Sequence, residues 1–568
     1  MPLGKEGGKK MSQHQTKNHQ LQKNQALGEE DSNFYRFGFA ESKKPKIAFV
    51  HKAFEEFASK QAEAIAVEHL GETITYGELN QRANELAVYL RAQGIGLGDR
   101  VGLFLERSIE MVVGILAVLK AGAAYVPQDA RISPDDHLKA VVNASGIDLV
   151  LTTDRFSGKL QKLFRESHQD LQVISLAPFL SNEFEIDLSA FTSDPIRFCA
   201  VEDPPFEIDY SNRECFILFT SGTTGQPNGV RVTHKNLCNL IQTSPGDLDV
   251  RPGMRVSQIL NIAFDMAAWE ILNTLSHGGT LVIRGKDIQK TVSTVNVVIA
   301  TPSILSSLNI DLCHRVKTVA VAGEPCPLEL ADRWASFCDF YIGCGPTEVT
   351  IVNTLKKHRF GEGRITIGKP TPNNTVYILD AQMRPCPIGE IGEMWAGGDG
   401  VSLGYLNNEE LNKDRYRPDP FLGEDKKMFR TRDLGRWTED GQLEHHGRTD
   451  DQVKIKGFRV ELDSVSNLLE KHTACQRAVT LKVDKDLLIA FVKAEIMNTE
   501  SLRIYLQESL PYYSVPELII SLKEFPKTDR GKVNKERLRN FAREYHALMA
   551  PILQPEKTET QEIGAKAC

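Results

Sequence analysis

The 568-residue sequence predicts an α/β protein: a large N-terminal domain of parallel-rich sheets with helices on both faces, followed by a small α+β C-terminal domain. Three observations carry this expectation. Short apolar runs alternate with segments of helical periodicity, the pattern of parallel strands covered on both sides. The texture changes around Asp450. The chain is also too long to enclose a single hydrophobic core.

Residues 1 to about 33 are rich in Lys, Gln, Gly and Asn and nearly free of aromatics, which predicts a disordered N-terminal tail within 1–45. The large domain is expected over 46–447. Leu79, Ala83, Leu86, Ala87 and Leu90 mark one face of a helix. Val101–Leu105 reads as a strand, Ile109–Leu119 as a strongly apolar helix, and Asp148–Thr152 and Val173–Leu176 as further strands. The alternation continues through Val297–Ala300, Val319–Ala322 and Val376–Leu379. The small domain is expected over 448–545. It comprises a helix at Ser464–Lys471, adjacent strands at Arg477–Val483 and Leu487–Ala494, a helix at Ser501–Ser509, a strand at Leu518–Leu522 and a helix at Asn534–Phe541. Residues 546–568 read as a polar tail.

Composition excludes more than it selects. A net charge of −7 gives no argument for a nucleic-acid surface. No apolar run is long enough to span a membrane, and no secretory h-region opens the chain. The ten cysteines show no CxxC pair, so they read as reduced thiols of a cytoplasmic protein rather than as metal ligands or disulfides.

The most informative stretch is Leu218-Phe-Thr-Ser-Gly-Thr-Thr-Gly-Gln-Pro-Asn-Gly-Val230. A buried strand ends in a loop of glycines and hydroxyls, a construction that points backbone N–H groups at one anion. Thr220, Ser221, Gly222, Thr223, Thr224 and Gly225 are therefore candidates to hold phosphate. The loop is not a Walker A sequence, because no Gly-Lys-Ser/Thr follows it.

Four later motifs are ambiguous alone. Ile342-Gly-Cys-Gly-Pro-Thr-Glu348 presents Thr347 and Glu348 on a turn, either for a hard cation such as Mg²⁺ or simply for water. In Phe429-Arg-Thr-Arg-Asp-Leu-Gly435, Asp433 reads as a ribose acceptor or as a surface ion-pair partner of Arg430 or Arg432. Gly447-Arg-Thr-Asp-Asp-Gln-Val-Lys-Ile-Lys-Gly457 spans the domain boundary. Pro526-Lys-Thr-Asp-Arg-Gly-Lys532 places a lysine on a Pro/Gly loop, where a lone lysine is ordinarily solvated.

In this order and spacing the motifs resemble the adenylate-forming superfamily, and within it the adenylation domains of nonribosomal peptide synthetases. The resemblance covers about residues 50 to 540. It extends to Ile74-Thr-Tyr-Gly-Glu-Leu79, Leu119-Lys-Ala-Gly-Ala-Ala-Tyr-Val-Pro127, Phe264-Asp-Met-Ala-Ala-Trp-Glu270, Gly404-Tyr-Leu-Asn407 and Leu510-Pro-Tyr-Tyr513. It implies an ATP-dependent ligase: a carboxylate attacks the α-phosphate and pyrophosphate leaves. Lys532 is then expected to bridge carboxylate and α-phosphate, cancelling charge where it builds. The Thr220–Gly225 loop would hold the β- and γ-phosphates. Thr347 would touch the α-phosphate, with Gly345 in the same nucleotide-binding turn, and Glu348 would bind Mg²⁺. Asp433 and Arg448 would hold the ribose. Asp450 would be the hinge of a mobile small domain, which alternately presents Lys532 for adenylation and Lys454 with Gly457 for thioester formation.

The resemblance also implies a substrate. Asp265 matches the aspartate that pairs with an α-ammonium, so an amino acid is expected; the alternative is a helix-capping aspartate. Met266, Trp269, Ser303, Ala320, Ala322, Gly343, Ile351 and Val352 would line the rest of the pocket. Their apolar character favours a neutral side chain, and the small residues leave room for a bulky one. Three positions depart from the family pattern: Asn228 where a lysine is usual, Cys344 for the tyrosine that stacks on adenine, and Arg432 for a glycine. No Gly-Gly-x-Ser follows Lys532, so a separate carrier protein is the expected acceptor, with coenzyme A or an amine as alternatives. A third alternative is an adenylate-binding remnant of a larger synthetase with weakened catalysis.

Overall fold

The computed structural model describes residues 29–165, 167, 170–180, 212–220, 227–455, 457–484, 487–494, 499–528 and 533–553. Two large sheets form the body of the molecule. One has six strands and is parallel except at the edge, where Glu214–Thr220 and Asn228–Thr233 pair antiparallel. The other has nine strands, with a parallel centre and antiparallel margins. The helix Ile109–Ala121 is apolar all round because it touches both sheets, and it is buried along its whole length. It starts at Ser108, whose hydroxyl accepts from the Met111 N–H, and ends at Gly122 in the left-handed conformation, φ 90°. The motif around Tyr76 is likewise a helix start: Thr75 and Glu78 form a reciprocal capping box.

Most predicted elements lie within a few residues of their expected bounds. The strand expected at Val376–Leu379 exists as Asn374–Leu379, but it belongs to a third, antiparallel sheet with Gly392–Gly398, Tyr416–Asp419, Gly423–Trp437 and Leu443–Arg448. No long helical crossover separates these strands, so they return on themselves instead of running parallel. The boundary of the N-terminal tail also moves. Glu29–Gly38 is a helix that buries Phe34 and Phe37 against this third sheet, with Phe34 stacked on Tyr377 at 5.6 Å. Phe34 and Phe37, one turn apart, face the same way, and that spacing supplies the apolar stripe. At the other end the last helix runs Lys535–Leu553, past the expected Phe541 and into the segment read as a polar tail.

The small domain has a three-stranded sheet (Cys475–Lys482, Leu488–Ala494, Leu518–Ser521) with its own two hydrophobic clusters. Ahead of that sheet lies a separate hairpin, Gln452–Ile455 with Phe458–Glu461. The eight described cysteines are all free thiols, and no helix among the described residues is long and apolar enough to cross a membrane.

Phe34→Ala should lower stability by about 3 kcal/mol in a denaturant titration, because it removes most of the helix's buried surface. Hydrogen exchange should rise first in residues 29–38 and the facing strand. Protection unchanged there would mean the helix is held by something else.

Candidate active site

A cavity of about 560 Å³ opens between the large domain and the small-domain hairpin. Its walls bring together residues more than two hundred positions apart. Thr220 comes from the end of an edge strand; Asp265 and Met266 from the first turn of the buried helix Asp265–Ser276; Gly343, Cys344, Gly345 and Thr347 from the end of a central strand and the turn after it. Asp433 and Arg448 come from the third sheet, and Lys454, Gly457 and Arg459 from the hairpin. Among the expected substrate residues, Asp265, Met266, Ala322, Gly343 and Ile351 line this cavity. Trp269, Ser303, Ala320 and Val352 are not on its wall. Trp269 is fully buried and donates its indole N–H to the Gly246 carbonyl at 2.7 Å, so it anchors the helix from behind. Val352 backs Gly343: a Cβ there would lie 2.8 Å from Val352 Cγ1. Ser221, Gly222, Thr223, Thr224, Gly225 and Lys532 lie outside the described residues.

Glu348 is the most constrained group of the site. It has no exposed surface. Arg459 Nη1 donates to both of its oxygens at 2.9 Å, and the Tyr405 hydroxyl donates to Oε1 at 2.5 Å. Burial works to raise its pKa, but the charges of Arg459 and Arg415 and the Tyr405 hydroxyl outweigh that and hold the carboxyl below its ordinary value. With both oxygens engaged, Glu348 in this arrangement does not fit the metal-ligand role that the sequence implies for it.

Asp433, Arg448 and Asp450 form a second charged group. Arg448 Nη1 donates to Asp433 at 2.5 Å, while its Nε and Nη2 reach the two oxygens of Asp450 at 2.7 and 3.0 Å. His445 approaches Asp433 at 3.4 Å. Burial would raise the Asp433 pKa; His445 and Arg448 overcome it and hold the carboxyl low. The ion pair expected as an alternative for Asp433 is therefore present, but with Arg448 on the cavity wall rather than with Arg430 or Arg432. Arg432 has φ 63°, the left-handed region where glycine costs nothing and an L side chain about 1 kcal/mol. Its guanidinium is held by Asp414 at 2.7 Å.

At the opposite wall Asp265 accepts from the Thr347 hydroxyl at 2.8 Å. Burial raises its pKa, against the lowering effect of Thr347 and of the Lys454 charge. It forms no ion pair among the described residues. Cys344 sits in the same cavity, where burial pushes its thiol up to about 12, so it is an uncharged wall rather than a nucleophile. Asn228 is held by Asn408, whose Nδ2 donates to its Oδ1 at 3.1 Å.

Sequence reasoning did not single out Arg459, Tyr405 or Glu324. Arg459 stands two residues beyond the Gly447–Gly457 motif, and Tyr405 lies inside Gly404-Tyr-Leu-Asn407, a motif that carried no assigned role. Glu324 lines the cavity, accepts from the Ser303 N–H at 2.9 Å through Oε2, and leaves Oε1 buried without a partner among the described residues.

The family model described as AMP-binding enzyme matches residues 54–406. Adenylate-forming reductase 03009 of Coprinopsis cinerea is 42% identical over 512 residues, covering 90% of this chain and 48% of the relative. Phosphinothricin tripeptide synthetase PhsC of Streptomyces viridochromogenes is 34% identical over 507 residues, covering 86% of this chain and 45% of the relative. The chain thus spans about half the length of these curated relatives. Among solved structures, the Vibrio cholerae adenylation domain AlmE in complex with glycyl-adenosine-5'-phosphate shares the fold, with TM-score 0.75 at 19% identity over 88% of this chain and 99% of that one.

Because the Glu348 pKa is lowered on folding, the ion pair's contribution should be fully present above the ordinary glutamate value of 4.5 and lost as pH falls through the depressed value. Glu348→Gln should cost about 3–5 kcal/mol near neutral pH, since it leaves Arg459 buried without its counter-charge. In urea titrations the gap between variant and wild type should close on acidification. A gap that does not change with pH would count against the pair.

Proposed function

The chain belongs to the AMP-binding enzyme family as an adenylate-forming enzyme of the nonribosomal peptide synthetase type, and we propose that it activates the carboxylate of an amino acid to an aminoacyl-AMP with release of pyrophosphate. One observation carries the amino-acid reading: Asp265, a carboxylate on the cavity wall at the first turn of a buried helix, forms no ion pair among the described residues. A desolvated carboxylate is costly without a cation, and an α-ammonium would supply one. Met266, Ala322, Gly343 and Ile351 on the same wall favour a neutral side chain.

ATP, with Mg²⁺, is the expected cosubstrate. In this reading its adenosine lies toward Cys344 and Thr366, with the ribose hydroxyls accepted by Asp433, which Arg448 orients. Thr347 faces the reacting carboxylate and α-phosphate. Lys532 is proposed to bridge these two anions, and the loop 220–225 to hold the departing pyrophosphate. The acceptor of the adenylate is proposed to be a phosphopantetheine thiol on a carrier unit, approached past Lys454 and Gly457. An eventual reduction of the activated acid is supported by the relative named an adenylate-forming reductase, 42% identical to this chain. This second reading differs from the first only in the fate of the adenylate, and a reductase unit would have to supply the reduction. The eight free thiols accord with a cytoplasmic enzyme.

Exchange of labelled pyrophosphate into ATP should depend on an amino acid. Asp265→Asn should reduce it at least about a hundredfold for amino acids and far less for des-amino acids, in line with the worth of a buried charge pair. Equal losses would remove Asp265 from ammonium binding. Lys532→Ala should lower exchange by about a hundredfold or more with little change in thermal stability. Near-wild-type exchange in that variant would contradict the bridging role.

A further inference from the structure

The residue assigned by sequence to a metal cation carries an arginine instead. Glu348 is fully buried, and Arg459 Nη1 lies 2.9 Å from each of its oxygens while Tyr405 donates to one of them. A carboxylate so enclosed must be neutralised by a cation, and Arg459 takes the space a metal ion would need. Arg459 reaches this position only because the whole hairpin is seated. Its neighbour Phe458 stacks on Tyr513 at 3.7 Å and meets Phe264 edge-on at 4.5 Å. The preceding Gly457, φ 83°, passes so close to the large domain that a Cβ would lie 2.6 Å from Thr301 Cγ2. Three consecutive residues thus fix the hairpin against Thr301, Phe264 and Glu348.

We propose that Arg459 is a positioning residue that replaces the metal cation on Glu348, so that metal binding and this seating of the small domain exclude each other. The proposal rests on the adenylation reading, because it takes Glu348 as the metal ligand of that reaction. A metal on Glu348 would leave Arg459 buried beside a second cation, a like-charge contact that withdrawal of the hairpin relieves. Departure of the metal with pyrophosphate would free the carboxylate for Arg459 again. Linkage makes the effect reciprocal: whatever seats the hairpin weakens the metal, and the metal unseats the hairpin by the same factor.

Mn²⁺ is a suitable probe, with bound ion counted by electron paramagnetic resonance in the presence of a non-hydrolysable ATP analogue on the full chain. Hydrogen exchange of residues 452–461 reports seating. In the wild type, Mn²⁺ with the analogue should raise exchange in this hairpin. Arg459→Gln should bind Mn²⁺ about tenfold more tightly, within the usual range of coupling between sites, and its hairpin should exchange fast with or without the ion. A purely structural loss would not tighten metal binding. Should that variant fail to fold, Phe458→Ala loosens the same hairpin without touching Glu348 and should also tighten Mn²⁺. Unchanged Mn²⁺ affinity in a folded variant, or a wild-type hairpin indifferent to Mn²⁺, would overturn the exclusion while leaving adenylation intact. Absence of any nucleotide-dependent Mn²⁺ binding would overturn both.

Discussion

A carboxylate with no exposed surface has to be met by positive charge, and in this protein the charge on Glu348 is met by Arg459 from another domain. The two residues are more than a hundred positions apart, so the pair ties the hairpin of the small domain to the turn that ends a central strand of the large one. Around it the cavity closes. Phe458 covers Phe264, and Lys454 comes close enough to bias the Asp265, Cys344 and Asp433 carboxyl and thiol groups. Breaking the pair would release not one contact but a wall.

The rest of the site spreads its charges so that few are unpaired. Arg448 spans Asp433 and Asp450, and Thr347 donates to Asp265. The left-handed backbone at Arg432 costs about 1 kcal/mol, and a side chain that reaches Asp414 offsets part of it. That accounts for how an arginine stands where related sequences carry glycine. The exceptions to charge pairing, Asp265 and one oxygen of Glu324, face the cavity, where a ligand rather than the protein can satisfy them.

Much of the fold was legible because it is local. Alternating apolar runs and helical stripes located the strands Val297–Ala300 and Leu488–Ala494 and the helix Ile109–Ala121 to within a few residues. Errors fell where pattern says nothing about partners. Asn374–Leu379 reads like any buried strand, and only the absence of a long crossover makes its sheet antiparallel. Phe34 and Phe37 are two aromatics in a polar stretch, meaningful only once the sheet they cover is in place. The wall of the cavity was partly legible: Asp265, Met266 and Thr347 sit inside recognisable motifs, whereas Trp269, on the same helix, turns away by the helical period.

The sequence by itself determined the family, the α/β architecture and the identity of the groups able to handle phosphate, ribose and carboxylate, since spacing along the chain is enough to specify motifs. Only the tertiary structure decided which charge each of those groups meets. Arg459 lies in no motif with an assigned role, yet three consecutive contacts seat it on Glu348. An ion pair depends on where side chains arrive in space, and arrival across a domain boundary is set by packing rather than by order along the chain.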